Sequence, residues 1–572
     1  MSSVISDRAV ISVVDPTADK IGAIATPLAA RLETLNGKVL GLLSNSKPNA
    51  EVALQAVAEK IKETYPEVEI RLYHGSIRFE PSLLARAIEE SDALIGATAD
   101  CGACTSWLIH DGAQAEKGGV PQVTIVARGF EHDTVSSSKV FGVPDLRYVL
   151  VPRVFTALTA EAAVEQALPA VPDIIRLLTI GRGDAELVEA CTEVDDADKE
   201  ETYTFSGLNA VDAVGAFNSY FLEHDFSDGY PLHPPTPERV DEIVKALGLP
   251  ADELILTVPP AHGHGTVAKI AANVAMAGCR PEEVPVVIAA LKAIAACPPP
   301  MNLSTLMSTG AFAPVLLVGG PIAARLGINS GRCPLGPGRA NQVGLRIGRA
   351  VGLALRNLGL WIPGKMDLDT IGTVRKFIQV IGENTDESPW EPYQVTEGFR
   401  TEDSTVTVFH TTGEWDLGSN HGDADVSIRG LAARTPTALQ VGFMTTTLGG
   451  LDKEQDGLCY LLPPESAKRF AAAGLSKTAV QRFLLHNIRP RISDVVAPFI
   501  DFRARGLIKP EWEWLFQLTP QEQRSQTIQA FLDPESIKVV VAGHGTTKDF
   551  VFGTMTAKVT EKITVPNRDS GR

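Results

Sequence analysis

The stretch Ala93-Leu94-Ile95-Gly96-Ala97-Thr98-Ala99-Asp100-Cys101-Gly102-Ala103-Cys104-Thr105 passes from an apolar β-type run, through two thiols spaced by small residues, into the amphipathic segment Thr105 to Glu116. A short apolar run, a tight loop and a helix form the repeating unit of a parallel sheet covered by helices. The same alternation extends to both sides, with strands expected at Ala9 to Val14, Lys38 to Leu43, Glu69 to Tyr73, Ala93 to Ala97, Gln122 to Val126 and Tyr148 to Val151. Helices are expected to start near Asn49, Glu80, Thr105 and Thr159. The fold class is therefore α/β, a doubly wound parallel sheet over residues 1–180. In such sheets ligands gather where strand ends lead into helix N-termini.

Two loops fit that position. In the cysteine loop, the unpaired N–H groups and the positive dipole end of the following helix favour a thiolate, so the ordinary cysteine pKa of about 8.5 is expected to fall toward neutrality. The Cys101-x-x-Cys104 spacing lets the second sulfur resolve an adduct on the first, or share a soft metal with it. His110, in the helix, is the nearest imidazole and a candidate acid or base. The other loop, Ser44-Asn45-Ser46-Lys47-Pro48-Asn49, offers Asn45 and Lys47 to a carboxylate or phosphate, and the same residues also suit an ordinary turn and N-cap.

Residues 181–204 turn acidic and polar and are expected to form a linker to a larger mixed α+β region, 205–572, read as a substrate chamber. It opens with helices, one started by Thr236-Pro237 and closed by Gly248, others over Gly265 to Gly278 and Pro281 to Ala296. From about Ser404 it becomes strand-rich, at Thr405 to His410, Leu439 to Met444 and Val539 to Ala542, with a helical stretch between Ser466 and Leu485. The loop Gly331-Arg332-Cys333-Pro334-Leu335-Gly336-Pro337-Gly338-Arg339 precedes a helix from Ala340 to Asn357 and is a candidate anion cradle. Arg332 and Arg339 would supply charge, and Asn329, Ser330 and Asn341 orientation. Gly344, Gly348 and Gly352 suit close packing against another helix. His262 and His264 would face one divalent metal if the backbone is extended there, with His410, His421, Asp423 and Asp425 as distant partners; acid–base work or a turn role is the alternative.

The net charge of −17 with scattered Lys and Arg argues against a nucleic-acid partner. Without an eighteen-residue apolar run or a leader-like N-terminus, the chain is expected to be cytoplasmic and off the membrane. Seven cysteines in 572 residues are too sparse for a disulfide scaffold, and Cys191, Cys279, Cys297, Cys333 and Cys459 read as small buried hydrophobes. No nucleotide fingerprint is present, so no cofactor is firm. A homo-oligomer is expected from size and apolar content.

The segment from Ala93 to Thr105, followed by Glu116-Lys117-Gly118-Gly119-Val120-Pro121-Gln122-Val123-Thr124, resembles the UGSC family of (seleno)proteins, named for a Sec-Gly-Ser-Cys motif. Its loop is also similar to the selenocysteine loop of glycine reductase component B. The resemblance places Cys101 on the selenocysteine, as attacking chalcogen, and Cys104 on its partner. Further stretches, Asn273 to Glu282, Gly327 to Gly331, Gly336 to Asn341 and Glu383-Asn384 with Ser388-Pro389-Trp390, are similar to proteins related to this family. They mark Glu383, Asn302 and Ser304 as pocket candidates. At Ala261 to Gly265 the chain carries two histidines where relatives imply an acidic residue.

The expected function is a thiol-dependent enzyme acting on a small polar or carboxylated substrate, with reductive cleavage favoured and a thiol reductant as partner. A redox-neutral lyase, hydratase or hydrolase, metal-assisted at His262 and His264, is the alternative; a non-catalytic thiol sensor is the third reading.

Overall fold

The computed structural model describes residues 8–20, 26–75, 79–179, 201–297, 305–419, 422–438, 457–500, 503, 508, 510–531, 534–554 and 558–565. The first strand, β1 (Ala9–Val14), is followed by β2 (Val39–Ser44), α1 (Ala50–Thr64), β3 (Glu69–His74), α2 (Pro81–Glu90), β4 (Ala93–Ala99), α3 (Gly102–Lys117), β5 (Gln122–Ala127), α4 (Glu131–Val140), β6 (Tyr148–Val151), α5 (Ala160–Ala167) and α6 (Val171–Thr179). Strands β2 to β6 form one five-stranded parallel sheet in the order β3-β2-β4-β5-β6. The nearly unbroken apolar runs of β2, β4 and β5 follow from burial on both faces, whereas the edge strand β3 carries the exposed Glu69 and His74. Leu40, Leu42, Ile95, Val123 and Ile125 meet Leu54, Val57 and Ile61 of α1 and Ile174 and Leu178 of α6 on one face. On the other, Gly96 lets α3 approach so closely that an added Cβ would lie 3.0 Å from Leu108.

The chain leaves β2 toward β3 on one side and returns to β4 on the other, so the winding reverses between β2 and β4. The crevice beyond the carboxyl ends of those two strands is where doubly wound sheets bind ligands. Both loops singled out above emerge there.

The expected strand Ala9 to Val14 exists but is not part of this sheet. It pairs antiparallel with β7 (Thr202–Gly207), beyond the acidic segment, in register from Ala9↔Gly207 to Val14↔Thr202. Its Val13 belongs to a core that includes Phe217, Phe221 and Ile270, and Lys269 ties the following turn down, reaching Asp15 at 3.1 Å and Asp19 at 3.0 Å. The apolar content of β1 fits either sheet; the partner strand decides.

The remaining strands are β8 (Leu254–Val258), β9 (Gly263–Thr266), β10 (Ala313–Gly319), β11 (Gln379–Gly382), β12 (Thr405–Ser419), β13 (Gly457–Leu462), β14 (Ile537–Val541), β15 (Lys548–Thr554) and β16 (Val559–Lys562). Strands β8 and β9 form a hairpin, and β10 to β16 a mixed seven-stranded sheet in the order β11-β10-β12-β15-β13-β14, with β16 on β12. Around it lie the expected helices, as Pro237–Leu247, Val267–Met276, Val284–Ala296 and Gln342–Asn357, while the stretch from Ser466 divides into Pro464–Ala472 and Lys477–Asn487. The glycines of Gln342–Asn357 do serve close packing, but against a strand and its approach: a Cβ on Gly348 would collide with the Ile378 carbonyl, and one on Gly344 would lie 3.2 Å from that of Val380. Leu439 to Met444, and most of the acidic segment, lie outside the described residues.

Among the described residues, no helix is long and apolar enough to cross a membrane. The α3–α4 face of the parallel sheet is covered by the second region: Ile109, Ala113, Phe141 and Val143 pack with Ala261, Met307 and Met366, and Ser136 Oγ donates to the Pro260 carbonyl at 3.1 Å.

Candidate active site

The helix after β4 begins at Gly102, three residues earlier than its polarity suggests, because Cys101 acts as the N-cap. The Cys104 N–H donates to Cys101 Sγ at 3.3 Å, and the Thr105 N–H to the Cys101 carbonyl at 2.8 Å. This closes the first turn around the two sulfurs, which are joined as a disulfide with their Cα atoms 5.3 Å apart. Cys104 is buried and Cys101 half-buried, so Cys101 is the sulfur offered to solvent. A Cβ on Gly102 would run into the Met307 carbonyl; glycine is needed there because the second region lies directly against the loop.

The two switch-point loops are bolted to each other. Asn45 Nδ2 donates to the Thr98 carbonyl at 2.8 Å, the Thr98 N–H donates back to Asn45 Oδ1 at 3.0 Å, and the Asn45 N–H reaches the Ala97 carbonyl at 3.1 Å. Lys47 Nζ donates to Asp100 Oδ1 at 2.6 Å, and Asp100 Oδ2 accepts from the Thr156 N–H at 3.3 Å. The Asp100 side chain is fully buried and that of Lys47 is 13% exposed. The pair is thus shielded from screening, and the residue preceding Cys101 is fixed by it. Asn45 and Lys47, read from sequence as ligands for a substrate anion, are engaged in organising the cysteine loop. Asn49 does not cap α1 with its side chain; it takes a left-handed conformation and donates to the Phe155 and Leu158 carbonyls, both at 2.9 Å.

His110 stands eight residues past the helix start, about 12 Å along the axis. Its Nδ1 meets Asp111 Oδ1 at 3.0 Å, and its ring packs edge-on against Trp107 and Phe141. The structure therefore separates it from the sulfurs. His262 lies at the turn into β9 with φ 54°, its Nε2 buried and without a hydrogen-bond partner, and burial pushes its pKa down to about 4. His264 is in β9 opposite Thr257. His410 is buried with both ring nitrogens unpartnered, and burial likewise lowers its pKa to about 4. Among the described residues, no three His, Cys, Asp or Glu side chains converge as a metal site would need; His421 lies outside them.

The loop from Gly331 to Arg339 is held by its own amides. Asn329 Nδ2 donates to the Arg332 carbonyl at 3.1 Å and to Asn341 Oδ1 at 2.8 Å; Asn341 Nδ2 donates to the carbonyls of Cys333 at 2.8 Å and Gly336 at 2.5 Å. Ser330 contributes its carbonyl to the Gly543 N–H at 2.9 Å, and Arg332 lies over Gly545. Cys333, expected to be buried, is exposed because it occupies the turn at φ 55°; Cys279, Cys297 and Cys459 are buried as expected, and Cys191 lies outside the described residues. Glu383 is buried, accepts the Tyr393 N–H at 2.5 Å and lies 3.8 Å from Lys477; burial raises its pKa against the pull of that lysine. None of these residues is brought to the disulfide by a hydrogen bond among the described residues. Asn302 and Ser304 lie outside them.

One residue escaped the sequence reading. Asp133, in the first turn of α4, is fully buried with neither carboxylate oxygen hydrogen-bonded, and burial pushes its pKa well above the usual carboxylate range. One turn later Ser137 Oγ donates to Ser106 Oγ of α3 at 3.2 Å. The two helices run side by side, so Asp133 is set back from Ser137 toward the cysteine end as Gly102 is from Ser106. The signal was the run Asp133-Thr134-Val135-Ser136-Ser137-Ser138, whose short polar side chains are uncharged after the aspartate and suit a buried helix contact as well as a solvated face.

Residues 12–180 match the model of the UGSC family. No curated protein and no solved structure matches the chain.

Proposed function

We propose that the chain is a dithiol enzyme that cleaves a bond in a small polar or carboxylated substrate reductively, with Cys101 as the attacking thiolate and Cys104 as the resolving thiol. The observation that carries this reading is the Cys101–Cys104 disulfide at the N-terminus of α3, in the switch-point crevice of a sheet that matches the UGSC family. A resemblance of the loop to that of glycine reductase component B supports the reductive direction.

Written for a substrate R–X, the reaction is R–X plus the dithiol giving R–H, HX and the disulfide. Two electrons and two protons leave the thiols; one proton goes to R and one to the departing X. A thiol reductant, itself oxidised to a disulfide, restores the pair. The half-buried Cys101 meets the substrate, and the N-terminal amides of α3, one of which already points at its sulfur, stabilise the thiolate. Lys47 and Asp100 are positioning residues that hold the loop. Asp133, whose pKa burial raises, stands in the first turn of α4, one turn before the Ser137–Ser106 contact with α3, and is the candidate proton donor.

The test uses Cys104→Ser protein with oxidised glutathione. A mixed disulfide that persists on Cys101 in the variant, and is released as Cys101–Cys104 disulfide in the parent, supports resolution by Cys104. Identical adduct lifetimes in the two proteins would refute it, and turnover without consumption of a thiol reductant would indicate redox-neutral chemistry instead.

A further inference from the structure

Far from the thiols in sequence, the helix Gln342–Asn357 carries Arg346 and Arg349 on one face, each held by a carboxylate in a two-pronged grip. Arg346 donates through Nε at 3.1 Å and through Nη2 to Glu283. Arg349 donates through Nε at 2.7 Å and Nη2 at 2.8 Å to Asp228, and through Nη2 to the Tyr230 carbonyl at 3.0 Å. In both, the grip uses the Nε–Nη2 edge and fixes the guanidinium plane, while Nη1 makes no hydrogen bond to protein among the described residues. Arg339, just before the helix, is exposed and likewise has no partner among them.

These three arginines, with Gln342, Leu345, Gly338 and Ala277, line one open cavity of about 410 Å³. The space is of the size of small-molecule sites. Two of its cations are matched by acids and the third is not, so its field is positive on balance. A neighbouring imidazole lies within reach of the same charges. His233 packs on Gly278, beside Ala277, and its pKa is lowered by burial first and then by Arg349, Arg239 and Arg346.

We propose that this cavity binds a small polyanion through its phosphate or carboxylate oxygens, with Arg339 closing over a ligand already oriented by the Nη1 groups of Arg346 and Arg349. Guanidinium groups pre-set by the buried Glu283 and the part-buried Asp228 lose little freedom on binding and match the planar geometry of such oxygens. The site is separate from the cysteine crevice and does not depend on the thiol chemistry. The Asn329–Asn341 contacts hold the loop from which Arg339 projects, so the sequence reading of an anion cradle is kept for Arg339 alone and moved to the helix face beside it.

Calorimetric titration of the full chain with pyrophosphate and with citrate separates phosphate from carboxylate recognition. At least one is expected to bind with a dissociation constant below about 1 mM. Arg339→Ala should weaken that ligand about tenfold, as loss of a charge-assisted hydrogen bond does, and Leu345→Glu, at a side chain 52% exposed, should weaken it at least as much by repulsion. Both positions are on the surface, so folding is retained and can be checked by unchanged circular dichroism. No heat with either anion, or affinity unaltered by both substitutions, would overturn the proposal.

Discussion

The switch-point crevice and the Gly331–Arg339 loop are built from similar residues, asparagine, a cation and cysteine in a small-residue turn, yet they spend them differently. In the first, Asn45 and Lys47 reach across to another strand's loop and fix Thr98 and Asp100, beside the half-buried Cys101. In the second, Asn329 and Asn341 bond to each other and to carbonyls of their own loop. In the first loop, side chains that brace a neighbouring element fix the residue beside the sulfur; in the second, side chains that brace their own loop fix the backbone from which Arg339 projects.

The largest effects separating the two loops are expected at their cysteines. Cys101→Ser should lower mixed-disulfide formation with oxidised glutathione by about a hundredfold or more, whereas Cys333→Ser should leave adduct formation at Cys101 unchanged, as read by peptide mass mapping. Next in size, Lys47→Met leaves Asp100 buried without its cation and should cost about 4 kcal/mol in urea unfolding; adding Asp100→Asn to that variant should recover part of the loss. A cost below about 1 kcal/mol for Lys47→Met would place the pair among ordinary surface ion pairs. Asn341→Ala removes two donors to loop carbonyls and should cost about 2 kcal/mol, with thiol exchange at Cys101 retained; loss of that exchange would erase the distinction between the two loops.

The smallest effect concerns Asp133. Its native pKa lies above its unfolded value, so the parent protein loses stability as pH rises from about 4 toward the native pKa, because only the unfolded chain ionises there. Asp133→Asn cannot ionise, and its stability relative to the parent should grow as pH rises above about 4, until the native carboxyl itself ionises, in urea unfolding followed from pH 4 to pH 8. A constant difference over that range would mean that Asp133 has the same pKa in the folded and unfolded chain.

The parallel sheet was legible because strands covered on both faces are continuous apolar runs, and Ala93–Ala99 is buried along its length. The placement of β1 was not, since Ala9–Val14 has the same character and its pairing with Thr202–Gly207 is decided across nearly two hundred residues. The thiol pair was legible from spacing alone. The roles of Asn45, Lys47, Asn329 and Asn341 were not, because composition names a donor without naming the acceptor it will meet. Asp133 was hidden for a related reason: polarity in a helix is read as exposure, and only packing against α3 shows a polar face turned inward.

The most direct test of the account is a redox titration of Cys101 and Cys104. The full chain is equilibrated in graded dithiothreitol buffers, quenched by alkylation and mapped by mass spectrometry across residues 93–117. The account predicts one reversible two-thiol transition, in which both cysteines gain and lose the label together and reduced Cys101 is the faster to react. Two thiols that remain free at every ratio, or a pair that alkylates independently, would contradict it.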